Sequence, residues 1–220
     1  RIPDVGTAGK GKHIANLVNL QPEEKVQAFL PVREFEENRY VIIATAMGVI
    51  KKCDLTVFDH PLLRGIIAIR LDEGDELISA RLTNGEPEIF LATHHGKAIR
   101  FLAKDVRAMG RPAHGVRAIR LSEGDSVIGM TPVAPGNLIL SVTDGGRGKR
   151  TELEEYRLTA RGGKGIINIK TSKRNGNVVA LMRVILEDEL MIITRGGKII
   201  RLGADKIRAT GRSAQGVRLV

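Results

Sequence analysis

The chain has 220 residues, of which 42% are hydrophobic and 3% aromatic, and its formal net charge at pH 7 is +10. This apolar content excludes a disordered chain and allows a large domain with a hydrophobic core. The single cysteine, Cys53, excludes an internal disulfide and a cysteine-cluster metal site, and it favours a reducing, cytoplasmic location. No stretch reaches the roughly 20 apolar residues of a transmembrane helix, and no signal peptide is recognisable. We therefore expect no membrane partner.

The positive charge is concentrated in the later part of the chain. Residues 1–88 carry 11 Lys and Arg against 14 Asp and Glu, whereas residues 89–220 carry 24 against 11. A basic balance of this kind indicates a polyanionic partner, with the stronger contact on the later part of the chain. The chain begins with Arg1 rather than methionine, which predicts a fragment of a longer protein.

A Thr-x-x-Gly motif divides the chain into repeats. Its glycine recurs every 48 to 51 residues, at Gly48, Gly96, Gly146 and Gly197. Short segments rich in β-branched and other apolar residues precede it, as at 40–44, 138–142 and 190–193. Such segments bounded by a glycine are typical of β-hairpins, in which glycine supplies a positive φ. Short helical turns are predicted after two of the hairpins, near 55–58 and 103–106.

A second glycine follows each hairpin glycine after 17 to 19 residues and opens an apolar segment. These segments begin at Gly65, Gly115, Gly165 and Gly216, and a degenerate copy begins at Gly11. Acidic turns follow at Asp72, Glu73 and Asp75 and again at Glu123 and Asp125. Because the carboxylates recur at one turn position, we interpret them as structural hairpin turns and not as a metal site.

Four or so strands in every 50 residues, with no long 3.6-residue period, predict an all-β fold. We expect a β-propeller-like array of about five four-stranded blades, which residues 1–220 form as one domain with incomplete blades at both ends.

The repeats resemble the C-terminal domain of the bacterial DNA gyrase A subunit, of the type IIA topoisomerase family, over essentially the whole chain. The residues that carry the resemblance lie at 45–52, 106–110, 115–121, 148–156 and 207–220. It implies a β-pinwheel whose neighbouring blades exchange a strand and whose basic outer rim binds and wraps duplex DNA, which makes ATP-dependent supercoiling directional. It implies no active site and no cofactor in this domain, while other domains of the holoenzyme use ATP and Mg. The implied partners, in an A2B2 holoenzyme, are duplex DNA, the gyrase B subunit, and the remainder of the gyrase A subunit. We expect a nucleoid-associated protein whose isolated domain is monomeric.

One segment departs from the family pattern. The gyrase box reads Gln-Arg-Arg-Gly-Gly-Lys-Gly and lies in the first blade, whereas this chain has Thr-Ala-Arg-Gly-Gly-Lys-Gly at 159–165, in a late repeat. We interpret this segment as a box-like copy and expect any true box upstream of Arg1. The segment does not match a P-loop. The A subunit of topoisomerase IV, which has a similar domain with degenerate boxes, remains an alternative.

Basic residues at equivalent repeat positions are predicted to contact DNA phosphates, because non-specific duplex binding needs Lys and Arg along a curved surface. The alternative is a solvated β-surface. The candidate DNA-binding residues are Lys51, Lys52, Arg64, Lys97, Arg100, Arg111, Arg147, Lys149, Arg150, Arg161, Gly162, Gly163, Lys164, Gly165, Lys198, Arg201 and Arg212.

Two other functional classes are less well supported by the sequence. A protein-interaction propeller remains an alternative, although the chain lacks Trp altogether and with it any Trp-Asp signature. A propeller enzyme would need a nucleophile and base, and no such arrangement is recognisable. His94 and His95 have no evident set of metal-ligand partners, and Tyr156 is interpreted as packing between blades. Salt-dependent binding to random-sequence DNA distinguishes a DNA-wrapping domain from a protein-interaction propeller and from a propeller enzyme.

Overall fold

Three four-stranded antiparallel sheets and one further hairpin make up the part of the chain that the structure describes. The computed structural model describes residues 13, 14, 18, 20, 21, 23–60 and 65–220. The four hairpins are β1 (Tyr40–Thr45) with β2 (Val49–Asp54), β4 (Glu88–Thr93) with β5 (Lys97–Leu102), β8 (Leu138–Thr143) with β9 (Arg147–Glu152), and β12 (Glu189–Ile193) with β13 (Ile199–Gly203). The remaining strands are β3 (Leu77–Thr83), β6 (Val116–Arg117), β7 (Val127–Val133), β10 (Ile166–Ile167), β11 (Val178–Val184) and β14 (Val217–Arg218). Each hairpin is followed by a 3₁₀ helix, at Leu55–Phe58, Ala103–Asp105, Leu153–Glu155 and Ala204–Lys206.

Each four-stranded sheet is one blade, and its fourth strand comes from the following repeat. The strand orders are β3-β1-β2-β6 in the first blade, β10-β5-β4-β7 in the second and β11-β8-β9-β14 in the third. The exchanged strands pair at equivalent positions, since Ile50 faces Val116, Ala98 faces Ile166 and Gly148 faces Val217. The predicted all-β, propeller-like fold and the strand exchange are therefore confirmed. Among the described residues three blades are complete, and the fourth repeat contributes a two-stranded hairpin.

The threonine and the acidic turn of each repeat hold the hairpin loop. The hydroxyl oxygen of Thr45 accepts a hydrogen bond from the Val49 amide at 3.2 Å, and Thr93 does the same for Lys97 at 3.1 Å. The carboxylate of Asp75 accepts a hydrogen bond from the Met47 amide at 2.9 Å. Asp125 makes the equivalent contact to the amide of residue 95. The acidic turns thus satisfy backbone donors, as their recurrence at one position predicted.

The second glycine allows the exchanged strand to approach its neighbour closely. Gly165 has a φ of +69°, and a Cβ added there would lie 2.5 Å from the carbonyl oxygen of Ala98. A side chain would therefore meet both an unfavourable backbone conformation and a backbone atom. The position requires glycine because another chain segment occupies the space of a side chain.

The hydrophobic core lies between successive blades. One cluster joins Ile42 and Ile50 of the first blade to Leu91, Phe101 and Met130 of the second. The next cluster joins the second blade to the third, and in it the rings of Phe90 and Tyr156 pack edge to face with centroids 4.8 Å apart. Its tyrosine hydroxyl donates a hydrogen bond to Asn168 at 2.7 Å. The interpretation of Tyr156 as blade packing is confirmed.

A basic side chain at the end of each of the first three hairpins fastens one blade to the next repeat. Arg100 donates hydrogen bonds to the carbonyl oxygens of Leu153 and Tyr156, both at 2.9 Å, and pairs with Glu88. The equivalent Lys52 donates to the carbonyl of Ala103 at 3.0 Å. In the terminal hairpin the equivalent Arg201 is exposed and pairs only with Glu189 of its own hairpin. The 3₁₀ helix of each following repeat therefore presents the carbonyls that set the spacing between blades.

We expect Arg100→Ala to destabilise the domain by about 2–3 kcal/mol, because it leaves two carbonyls and a half-buried carboxylate without their charged donor. The matched change Arg201→Ala removes an exposed ion pair and should alter the free energy of unfolding by less than about 0.5 kcal/mol. Urea unfolding of both variants followed by circular dichroism measures the difference. Equal effects of the two substitutions would contradict the role of Arg100 between blades.

Candidate nucleic-acid interface

Three lysines that were predicted to contact DNA are buried inside the fold. Lys51 and Lys149 have no exposed surface and Lys52 retains 7%. The ammonium of Lys51 donates hydrogen bonds to the carbonyls of Ala68, at 2.8 Å, and Arg111. The ammonium of Lys149 donates to the carbonyl of Gly211 at 2.8 Å. The prediction of phosphate contact is wrong for these three residues, because their charged ends are directed at backbone carbonyls of the fold.

Burial lowers the pKa of Lys149 to about 8, against the smaller opposing influence of the nearby Glu155 carboxylate. In the unfolded chain the same group titrates near its ordinary value of about 10.4. Above pH 8 the unfolded chain therefore binds more protons at this residue than the folded chain, so this residue makes stability rise with pH up to about 10.5.

We expect the free energy of unfolding of the Lys149→Ile variant, which has the residue of the equivalent position 99, to lack this rise. Between pH 8 and 10 its slope against pH should be lower than that of the unchanged chain by up to about 1.4 kcal/mol per unit. Urea unfolding in a pH series measures both slopes. Subtracting one slope from the other removes the contributions of the other groups that titrate in this range, because both chains contain them. Parallel slopes would show that Lys149 keeps an ordinary pKa.

The guanidinium groups of Arg161 and Arg212 are held by backbone carbonyls of the preceding repeat. Arg161 donates to the carbonyls of Asp105 at 3.1 Å and Arg117 at 3.0 Å. Arg212 donates to the carbonyl of Ile167 at 3.3 Å, which is the repeat equivalent of position 117. These arginines thus fasten the loop before the second glycine to the preceding exchanged strand.

Two rows of exposed basic side chains flank these fastened loops. Arg107 lies beside the loop at 161–165, because it follows by two residues Asp105, whose carbonyl binds Arg161. Arg120 lies on the other side, because its amide donates a hydrogen bond to the carbonyl of Gly163 at 2.8 Å. The amide of Lys170 donates to the carbonyl of Ala214 in the next loop at 3.3 Å. We define the basic ribbon as the exposed residues Arg107, Arg117, Arg120, Arg157, Lys164, Lys170 and Arg208. Their side chains form no hydrogen bond or ion pair with other residues among those described.

The first repeat does not continue the ribbon. Its exposed residue Asp59 stands at the repeat position of Arg107, Arg157 and Arg208, and Ile67 stands at that of Arg117. Arg70 is exposed at the position of Arg120, but the exposed carboxylates of Asp72 and Glu73 follow it two and three residues later. Among the described residues the basic ribbon is therefore confined to the second and later repeats, in agreement with the uneven charge of the sequence.

The family model for the DNA gyrase C-terminal domain, a beta-propeller, matches residues 1–33, 62–84, 87–134, 137–185 and 188–220. The chain belongs to this family. The DNA gyrase A subunit of Salmonella typhimurium (strain LT2) is 43% identical over 220 residues, which is 100% of this chain and 25% of that protein. The chain thus spans about a quarter of the length of the curated relatives it matches.

Solved structures show the same gyrase-type architecture. The crystal structure of the C-terminal domain of DNA topoisomerase IV superposes with a TM-score of 0.90 at 26% identity and covers 96% of this chain and 66% of its own. The structure of a DNA gyrase A C-terminal domain gives a TM-score of 0.88 at 27% identity, covering 96% of this chain and 71% of its own. The β-pinwheel expected from the resemblance is thereby confirmed.

Most of the ribbon was missed in the sequence of this gyrase-family domain. Arg107, Arg157 and Arg208 follow the 3₁₀ helices at spacings of 50 and 51 residues, so the repeat alignment contained the signal. Arg120 and Lys170 recur in the same way, five residues after the second glycine. Basic residues near the hairpin glycine were selected instead, and their strands turn out to be covered by neighbouring blades.

The remaining predicted residues of the gyrase-family domain occupy several environments. Lys198 is exposed and Lys97 and Arg111 are half-buried, and these three side chains form no hydrogen bond or ion pair with other described residues. Arg147 donates a hydrogen bond to the carbonyl of Gly216 at 3.0 Å. Arg150 donates to the carbonyls of Ile207 and Asp205. In the box-like loop the amide of Gly162 donates to Ala118 at 2.6 Å, and Gly163 is exposed. Arg64 lies outside the described residues.

The histidines stand at a junction between blades. The ring of His94 is hydrogen-bonded to the carbonyl of Val178 at 3.1 Å, and the ring of His95 lies 3.9 Å from the Asp125 carboxylate. In the part of the chain that the structure describes, no three His, Cys, Asp or Glu side chains are grouped as a metal site would require. No helix within the described ranges is long and apolar enough to span a membrane.

Proposed function

We propose that this chain binds duplex DNA without sequence preference and bends it around the basic ribbon, as the DNA-wrapping part of a gyrase A subunit. The observation that carries the proposal is the set of seven exposed Lys and Arg side chains that form no hydrogen bond or ion pair with other described residues, five of them at equivalent positions on successive repeats. Phosphate contacts of this kind provide affinity and position the duplex without reading its sequence. The relatives, which are DNA gyrase A subunits, support the same assignment.

The ribbon has the charge that a wrapped duplex requires. The second and third repeats each add three cations and the fourth adds Arg208, so a duplex following these repeats meets a phosphate-binding side chain at each step. Bending 20–30 base pairs costs about 1–6 kcal/mol, which a few charge-assisted phosphate contacts offset. We further propose that the exposed backbone of Gly163 forms part of this surface, since its carbonyl oxygen accepts a hydrogen bond from the Arg120 amide and it lines the same cavity as Arg157 and Lys164.

Fluorescence anisotropy with a random-sequence duplex of about 40 base pairs tests DNA binding. Seven phosphate contacts predict that affinity falls by about 10³–10⁵ between 50 and 200 mM salt. A binding constant that is independent of salt would contradict the proposal. So would equal binding to an uncharged control polymer.

A topology assay tests wrapping as distinct from binding. Nicked circular DNA is incubated with the chain and sealed with ligase, and the linking-number change is read on a gel. We expect a change that disappears at high salt. Binding without any change would favour the topoisomerase IV alternative, which the TM-score of 0.90 to such a domain supports.

The context of the parent protein follows as part of the same proposal. We infer a cytoplasmic, nucleoid-associated A subunit that joins a B subunit in an A2B2 holoenzyme and uses ATP and Mg through other domains. In that assembly this chain would position DNA, and cleavage would be carried out elsewhere. Co-purification of the full-length A subunit with a gyrase B subunit, and ATP-dependent supercoiling by the mixture, test this inference.

A further inference from the structure

A cavity of about 180 Å³ lies beneath the box-like loop, at the junction of the second and third blades. One wall is the strand β5, at Ala98, Ile99 and Arg100. The other walls are the segment 156–160 and the loop residues 163–166 of the following repeat. The cavity therefore opens on the surface that carries the basic ribbon.

A single residue difference explains why the cavity occurs at this junction. Ile99 occupies the repeat position of Lys51 and Lys149, whose ammonium groups reach carbonyls of the following loop in the first and third blades. Isoleucine is shorter and has no donor, so the corresponding space beneath the loop stays unfilled. Its terminal methyl would lie only 3.7 Å from a Cβ added at Gly163, which places the side chain directly under the loop.

The lining of the cavity combines an apolar floor with a cationic mouth. Ile99 and Ile166 supply apolar lining, and the hydroxyl of Thr159 donates a hydrogen bond to the carbonyl of Arg100 at 3.2 Å. Arg157 and Lys164 line the mouth, are exposed, and make no contact to other described side chains or carbonyls. Two free cations above an apolar surface fit a ligand with an anionic group at one end and a hydrocarbon body.

We propose that this cavity is a binding site for a small amphipathic anion, an organic carboxylate, sulfonate or phosphate monoester with an aromatic or aliphatic body. The body packs on Ile99 and Ile166, and the anionic group accepts hydrogen bonds from Arg157 and Lys164. Both cations belong to the basic ribbon, so the ligand competes with DNA for them. That competition rests on the proposed function, whereas binding of the ligand does not.

Methyl NMR of the chain labelled at isoleucine, titrated with naphthalene-1-sulfonate without DNA, tests the site directly. We expect saturable shifts of the Ile99 and Ile166 methyl signals with a Kd of about 0.1–1 mM, the range for a ligand of this size. The methyl of Ile200, at the same repeat position in the terminal hairpin, is the internal control and should not move. Absence of saturable shifts at Ile99 and Ile166 would overturn the proposal.

Two variants separate a built site from non-specific adsorption. Ile99→Lys introduces the residue that the first and third blades carry, fills the cavity, and should weaken binding at least tenfold as seen at Ile166. Arg157→Gln with Lys164→Gln keeps the floor and should also weaken binding at least tenfold, which tests the site even if the first variant folds poorly. Unchanged affinity in the double variant would overturn the proposal.

Adding duplex DNA to the saturated sample then tests the competition. Return of the Ile99 and Ile166 signals to their free positions is expected. If DNA binds to the chain but leaves the ligand shifts in place, the shared use of Arg157 and Lys164 is wrong while the ligand site stands. If DNA does not bind at all, the proposed function fails independently of the cavity.

Discussion

Replacing Arg107, Arg157 and Arg208 together by alanine is expected to weaken binding of random-sequence duplex DNA about 10²–10³-fold at low salt. Each arginine follows a 3₁₀ helix on a successive repeat and has no protein partner among the described residues. Loss of one charge-assisted phosphate contact corresponds to about tenfold or less in affinity. The slope of log K against log salt should also decrease in magnitude by about 2.7, which is 0.9 for each lost contact.

A second triple variant with the same charge change is the control for this experiment. Arg39, Arg81 and Arg183 are also exposed but lie outside the ribbon. Their replacement by alanine should change the affinity by less than about threefold, because only distant, screened charges are removed. Anisotropy titrations of both variants at several salt concentrations measure these effects. Equal losses would mean that the net charge of the domain determines binding, and that the ribbon has no special role.

The substitution Gly165→Ala is expected to lower the free energy of unfolding by about 3–5 kcal/mol. The added Cβ would lie 2.5 Å from the Ala98 carbonyl oxygen and 3.1 Å from its carbon, in a backbone conformation with φ of +69°. The left-handed conformation alone costs about 1–2 kcal/mol, and the overlap with the neighbouring strand adds to it. Because this strand is the one exchanged between blades, the second and third blades should separate on unfolding at lower denaturant.

Gly136→Ala is the matched control, since Gly136 has a φ of +82° and no atom within 4 Å of an added Cβ. It should cost only the conformational part, about 1–2 kcal/mol. Thermal and urea unfolding of both variants, followed by circular dichroism, measure the two effects. If Gly165→Ala were no more destabilising than Gly136→Ala, the close approach of β10 to β5 would not contribute to the junction between blades.

Repeat spacing made the architecture predictable. The hairpin glycines mark turns that are local in sequence, and Gly115, Gly165 and Gly216 mark close approaches fixed by the period. Gly65 has no atom within 4 Å of an added Cβ, and Gly11 lies outside the described residues. The number of complete blades was not predictable in the same way. Each blade needs a fourth strand from the following repeat, and the last hairpin has no following repeat within residues 1–220. The number of hairpins is therefore larger than the number of complete four-stranded sheets among the described residues.

The basic residues of the candidate interface were harder to assign. In β2 the consecutive residues Ile50, Lys51, Lys52 and Cys53 are all buried, although alternation along a strand predicts one solvated face. The second blade covers one face of this strand, and on the other face the Lys51 ammonium donates to the carbonyls of Ala68 and Arg111. The long lysine stems carry the ammonium groups to carbonyls outside the apolar core. Burial here depends on contacts between repeats, which no local pattern encodes.

The amino-acid sequence by itself determined that the chain is a repeating all-β domain with a basic later half, because turns, strand patterns and charge are local properties that recur with the period. The tertiary structure alone decided which cations lie on the surface. Lys149 and Arg157 are both basic residues of the third repeat, and no local pattern distinguishes them. Lys149 is nevertheless buried, with its ammonium bound to the carbonyl of Gly211, whereas Arg157 is exposed on the ribbon. The physical reason is that the environment of a charge is set by the blade packed against it, and that neighbour comes from a repeat about 50 residues away.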